Sequence, residues 1–149
     1  QVIGAPVIGV DSFQKNRTDH DYSMWKIMDY LRLEQEVIKP FLSGNRLLRY
    51  GHFDWESNGV KIIKEVQVGD SLIIEGVGLF RPELNKYFGY KIWIDCSVEE
   101  AVTRGKKRDR EEYQNPQDEN WDGIWKRNDR EYSETYKPEA IADLVFSNC

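Results

Sequence analysis

Three short apolar runs in this chain each end on a carboxylate. Ala5-Pro6-Val7-Ile8-Gly9-Val10 precedes Asp11, Ser71-Leu72-Ile73-Ile74 precedes Glu75, and Lys91-Ile92-Trp93-Ile94 precedes Asp95. Uninterrupted apolar runs of this length fit strands buried on both faces, the condition of a parallel sheet flanked by helices. In an open parallel sheet the carboxyl ends of the strands share one edge, and ligands bind in the crevice there. Three neighbouring strands of this kind would set three acids on one rim, where they repel unless a cation or a transferred proton offsets them. Any one of these acids alone reads as a strand end or a helix cap. The three together favour a site for metal–phosphate chemistry.

Length and composition narrow the class. At 149 residues the chain fits one domain with a real core, and 40% hydrophobic with 13% aromatic residues argues against disorder despite 32% charged. A net charge of −5 disfavours a nucleic-acid-binding module. It leaves room for nucleotide binding through one local basic cluster. Cys96 and Cys149 offer neither a disulfide framework nor zinc spacing, and Cys96 reads as a buried small residue. No apolar stretch approaches membrane-spanning length and no signal-peptide pattern is visible. The expectation is a soluble, cytoplasmic protein with no nucleic-acid or membrane partner.

Along the chain, Pro6 cannot donate to a ladder, so it either opens the strand leading to Asp11 or separates two abutted pieces. Apolar residues at three- and four-residue steps predict an amphipathic helix over 24–42, with Pro40 kinking or ending it early and Ser43-Gly44 stopping it. Residues 47–55 and 59–66 read as a hairpin turned at Glu56-Ser57-Asn58-Gly59, because Asn-Gly is a strong turn signal. A short helix opens at Arg81-Pro82-Glu83-Leu84, a charged helix covers 98–113, and 114–122 is a polar loop. An aromatic and charged helix covers 124–136 until Pro138 breaks it, and 141–146 is a final strand. Strands alternating with helices predict an α/β doubly wound domain.

The chemistry-bearing elements follow from that layout. Leu72-Ile73-Ile74-Glu75-Gly76 has the shape of a strand whose terminal acid holds Mg²⁺ beside nucleotide phosphates. Asp11 at its strand tip can accept the proton of an attacking hydroxyl, or simply cap a turn. Arg104 and Arg108, four residues apart, share a helix face and can clamp phosphates; the plainer reading is a solvated helix laced with ion pairs to Glu99, Glu100, Asp109 and Glu111. His20 and His52 read as surface residues. Most of Trp121, Trp125, Tyr132 and Tyr136 read as core, with one free to stack on a base.

Asp11-Ser12-Phe13, Asp54-Trp55, Ile73-Ile74-Glu75-Gly76-Val77, Arg81-Pro82-Glu83-Leu84, Arg104, Arg108-Asp109 and Ala142-Asp143-Leu144-Val145 fall in an order that resembles the uridine kinase / phosphoribulokinase-like P-loop kinases. The stretch from Tyr113-Gln114-Asn115-Pro116 to Trp121-Asp122-Gly123-Ile124-Trp125 also resembles the lid of nicotinamide riboside kinases. The resemblance implies a P-loop NTPase-like doubly wound parallel sheet with a helical lid at about 99–130. It also implies ATP-dependent phosphorylation of a primary hydroxyl on a nucleoside or similar small molecule, with ATP and Mg²⁺ as cofactors and a homo-oligomer open. Carried over by position, Asp11 is the general base, Glu75 a Mg²⁺-associated acid, and Arg104 and Arg108 lid residues near the phosphates. Phe53-Asp54-Trp55 matches a Tyr-Asp-Phe element that contacts the nucleoside, with Phe53 in place of its tyrosine and Asn58 in place of a later histidine. A ribose-gripping acid is expected among Asp19, Asp21 and Asp29.

No Gly-x-x-x-x-Gly-Lys-Ser/Thr occurs in these 149 residues. That loop cradles phosphates with backbone N–H groups and supplies a lysine and a Mg²⁺-binding hydroxyl. Gln1-Val2-Ile3-Gly4-Ala5 resembles the strand that should precede it, so the expectation is a segment omitted near the N-terminus, or a true loss. The sequence therefore predicts a uridine kinase-like phosphotransferase, with a nicotinamide riboside kinase-like enzyme or a P-loop-less binding module as alternatives.

Overall fold

A computed structural model of the protein describes residues 4–16 and 22–148. Asp19, His20, Asp21 and Cys149 lie outside the described residues, as do the first three positions of the expected N-terminal strand. The chain divides into two compact units, one comprising Gln1–Asp21 with Lys26–Leu79, the other Tyr22–Trp25 with Phe80–Cys149.

In the first unit, strand β1 (Val7–Gly9) leads into a 3₁₀ turn, Val10–Phe13. A helix over residues 30–42 follows, then strands β2 (Leu47–Asp54) and β3 (Gly59–Gln67), and finally β4 (Ile73–Glu75). Pro6 stands just ahead of β1 and contributes only its carbonyl, which accepts from the Ile73 N–H at 3.0 Å. Strands β1 and β4 pair in parallel, Val7 with Ile73, Ile8 with Ile74 and Gly9 with Glu75. Strands β2 and β3 form the expected antiparallel hairpin, with Asn58 left-handed at its turn (φ 52°). A bulge between His52 and Phe53 on the β2 side leaves Lys61 as the extra residue of β3.

The helix starts six residues later than its apolar spacing predicts. Met24 and Trp25 are left-handed (φ 48° and 60°), so no helix runs through them, and the Asp29 side chain accepts from the Arg32 N–H at 3.0 Å to cap a start at Tyr30. Pro40 does not end it, for the helix runs on to Leu42. The preceding turn, Glu34–Ile38, is a π-helix, and this wider turn makes room for a ring that would clash with the carbonyl four residues back. Ile8, Val10, Phe13, Leu33, Val37, Leu48 and Phe53 are buried as the core of this unit, each side chain contributing about 1.5–3 kcal/mol.

In the second unit, β5 (Ile92–Asp95) and β6 (Leu144–Ser147) pair in parallel, Ile92 with Leu144 through Asp95 with Ser147. Between them lie the helix Val98–Glu111 and a helix over 118–136 that contains a π turn at Trp121–Trp125. Ser97 caps the first through its hydroxyl. The second ends as expected, with Lys137 left-handed and Pro138 opening the short helix Pro138–Ile141. No helix among the described residues is long and apolar enough to cross a membrane.

The architecture is mixed α/β, built among the described residues from three two-stranded sheets, two parallel and one antiparallel. The expectation of strands buried on both faces is corrected. Ile8 is buried, yet its neighbours Val7 and Ile73 are 57% and 41% exposed; on β5 and β6, Ile92, Ile94, Leu144 and Phe146 are exposed while Trp93 packs against Phe80 and Tyr132. Neither parallel pair is buried on both faces, and all four residues of β6 are exposed. Cys96, expected buried, is half-buried.

Leu33→Ala empties a fully buried position and is expected to cost about 3 kcal/mol in urea unfolding. Leu42→Ala, at an exposed position of the same helix, should change stability by less than about 0.5 kcal/mol.

Candidate carboxylate site

The parallel register of β1 and β4 decides where the first two acids go. Glu75 is level with Gly9, and its carboxylate lies across that residue: Oε1 is 2.7 Å from the position a Cβ on Gly9 would occupy. Asp11 follows two residues beyond Gly9, exposed in the first turn of the 3₁₀ segment. Gly76 continues the chain with φ +133°, and a Cβ there would stand 2.1 Å from Val10 Cγ1, so only glycine lets the chain leave the strand here. Asp95 belongs to the second unit, where it ends β5 level with Ser147. Among the described residues, no group of three or more His, Cys, Asp or Glu side chains converges to hold a metal ion.

Arg32, absent from the sequence expectations, organises the ground around Asp11. Its Nη2 donates to the carbonyl of Ser12 at 2.9 Å and its Nη1 to the carbonyl of Gly51 at 2.6 Å, tying the strand-tip turn to the hairpin. Its guanidinium carbon sits 4.7 Å from the centre of the Phe13 ring, which stacks on Tyr50 at 5.4 Å. On its own helix it faces Glu36 Oε2 at 3.4 Å and Asp29 Oδ2 at 3.9 Å, and the same Glu36 oxygen accepts from the Gly51 N–H at 2.9 Å. A helix residue flanked by acids three before and four after is the one sequence signal that marks it.

Asp29 is drawn to the same place by its backbone, whose N–H donates to the Phe13 carbonyl at 2.6 Å, while its carboxylate serves as the helix cap and Arg32 partner. His52, read from sequence as a surface residue, is half-buried instead, with Nδ1 2.9 Å from the Ser12 hydroxyl. Burial pushes its pKa down, Lys64 and Arg32 adding to the effect and Asp54 opposing it. Phe53 lies in the core, edge-on to half-exposed Trp55 at 5.0 Å. Asp54 accepts from the Ser57 hydroxyl at 2.5 Å and the Glu56 N–H at 3.3 Å, bonds that hold its carboxyl below the usual range. Asn58 donates to Asn16 Oδ1 at 2.8 Å.

Asp11, Glu75, Asp29 and the hairpin residues Phe53, Asp54 and Asn58 all belong to the first unit. Arg104 and Arg108 stand on the Val98–Glu111 helix of the second unit. Arg104 is paired with Glu100 at 2.8 Å and donates to the carbonyl of Asn148. Arg108 is held by Asp109 at 3.0 Å. Ion pairs therefore lace this helix, as the plainer reading has it.

No protein-family model matches the chain, and no curated protein does. Among solved structures, the chain is similar to a possible uridine kinase from Bacillus stearothermophilus, with a TM-score of 0.64 at 22% identity, over 95% of this chain and 72% of that one. The likeness is one of fold.

Arg32→Lys keeps the charge but not the fork that reaches two carbonyls at once. It is expected to lower unfolding stability by about 1–3 kcal/mol in chemical denaturation, since buried acceptors are left unpaired. His52 has a second, pH-dependent signature. With a folded pKa below that of the unfolded chain, it is protonated first in the unfolded state, so its contribution is lost as pH falls from about 7.5 to 5.5. Stability curves across that range should therefore fall more steeply for the native protein than for His52→Gln.

Proposed function

We propose that this chain is a small-molecule kinase of the uridine kinase-like kind, transferring a phosphoryl group from MgATP to a primary hydroxyl of a nucleoside or similar acceptor. The observation that carries the reading is the parallel register of β1 and β4. It sets Glu75 level with Gly9 and Asp11 just beyond, at the carboxyl end of the strands, where open α/β sheets bind ligands. The fold likeness to a possible uridine kinase supports it.

Mg²⁺ at phosphoryl-transfer sites keeps several waters and takes only one or two carboxylates beside the phosphates. A lone Glu75 fits that demand without a converging ligand cluster. Bound MgATP supplies the phosphoryl group and the metal that neutralises its charge. Exposed Asp11 accepts the acceptor's hydroxyl proton. Asp54, kept ionised by Ser57, and half-exposed Trp55, seated on Phe53, offer an acceptor for sugar hydroxyls and a ring face for a base. Asn58 and Asp29 complete the acceptor side. The resemblance assigns Arg104 and Arg108 to the phosphates.

A second reading, a non-catalytic binding module, is favoured by the lack of a Gly-x-x-x-x-Gly-Lys-Ser/Thr loop in these residues. A nicotinamide riboside kinase-like acceptor is favoured by the 113–125 stretch. ADP formation measured with uridine, cytidine and nicotinamide riboside separates the three. The kinase reading expects turnover with one of them and a loss of at least about 100-fold in Asp11→Asn. Full turnover by Asp11→Asn removes the assigned base. No turnover, with no thermal stabilisation by MgATP, selects the binding module.

A further inference from the structure

In the second unit, the helix Val98–Glu111 meets the 118–136 helix through one buried carboxylate. Asp109 is 4% exposed, and its two oxygens have different partners. Oδ2 accepts from the indole N–H of Trp121 at 2.7 Å, while Oδ1 accepts from Nε and Nη2 of Arg108 at 3.2 and 3.0 Å. Consecutive residues do not face each other on a helix, so Arg108 must fold back across its neighbour to make this contact. Two rings accompany it there: the guanidinium carbon lies 5.1 Å from the centre of the Tyr113 ring and 6.0 Å from that of Trp121. Trp121 is in turn seated against Gly105, where a Cβ would meet its ring at 2.3 Å. Nearly half of the Arg108 side chain is still exposed, and its Nη1 has no hydrogen-bond partner among the described residues.

We propose that Asp109, seated by Trp121, is a positioning residue that holds the Arg108 guanidinium ordered, with its Nη1 edge presented to a phosphate-type anion. The proposal rests on the reading of Arg108 as a phosphate-facing residue. An arginine already fixed by a carboxylate and two rings loses less freedom on binding than a mobile one, and its fork is aimed before the anion arrives.

The test is a double-mutant cycle read by titrating the intact chain with inorganic tripolyphosphate, followed by isothermal calorimetry. Arg108→Ala and Asp109→Asn are each expected to weaken binding about fivefold or more, and Asp109→Asn should cost nothing further in the Arg108→Ala background. Trp121→Phe, which keeps the ring and loses the N–H, should weaken binding in the same direction and by less. If Arg108→Ala weakens binding while Asp109→Asn leaves it unchanged or tightens it, the positioning role falls and the kinase reading stands. Equal losses from Asp109→Asn in both backgrounds mean that it acts through the fold, which also overturns the proposal. If the native chain does not bind the probe, or Arg108→Ala changes nothing, the phosphate-facing reading of Arg108 falls and takes the proposal with it. Should Asp109→Asn fail to fold, Trp121→Phe takes its place in the cycle with the same criteria.

Discussion

One guanidinium holds the first unit in register. Arg32 reaches the carbonyls of Ser12 and Gly51, stacks on Phe13, and faces Asp29 and Glu36 on its own helix. Three elements distant in sequence are thereby fixed against one another: the turn that carries Asp11, the helix that Asp29 caps, and the hairpin that carries Phe53, Asp54 and Asn58. Hydrogen bonds from a charged donor to buried carbonyls are stronger than neutral ones, and leaving those carbonyls unpaired is costly. Gly51 is part of the same arrangement. A Cβ there would stand 3.0 Å from Arg32 Nη1 and 2.4 Å from Val60, so the hairpin is bare of side chain where the arginine arrives.

Much of the local structure around the candidate site is legible in the sequence. Glu75 does end a strand, Asn58-Gly59 does turn a hairpin, and Pro138 does end a helix, because each rests on local chemistry; Asp11 falls two residues past its strand, in the 3₁₀ turn. What escaped was set by groups remote in sequence. Residues 24–28 carry a helical apolar spacing, yet the Met24 carbonyl accepts from Arg81, and the Trp25 N–H and indole N–H donate to Asn128 and Asp129. Those tertiary bonds hold two non-glycine residues left-handed, and propensity yields to them. Arg32 and His52 escaped for a related reason. The acceptors of Arg32 are backbone carbonyls, which leave no trace in a residue string, and the partner of His52 is a serine hydroxyl forty positions away. The apolar runs do form strands; their exposure depends on how many strands lie beside each, which periodicity does not encode.

The second unit uses aromatic rings where the first uses an arginine hub. Trp93 packs against Phe80 and Tyr132, Tyr132 against Tyr136, and Trp121 edge-on to Trp125 at 4.9 Å. Several of these rings also use their polar handles: the Tyr132 hydroxyl accepts from the Phe80 N–H, and the Trp121 indole donates to Asp109. Asp129, half-buried and pushed toward its neutral form by desolvation, is eased back by the Trp25 indole that donates to it.

The β1–β4 pairing has a consequence for how divisible this molecule is. The hairpin closes over a four-residue turn and carries its own register, whereas the pairing of Gly9 with Glu75 joins the two ends of the first unit across everything between. Contacts of that separation belong to the whole and to none of its parts. The two carboxylates are therefore a property of the closed chain: a fragment that retains the hairpin keeps that register, but one that loses either terminal strand has no acid pair left to inherit.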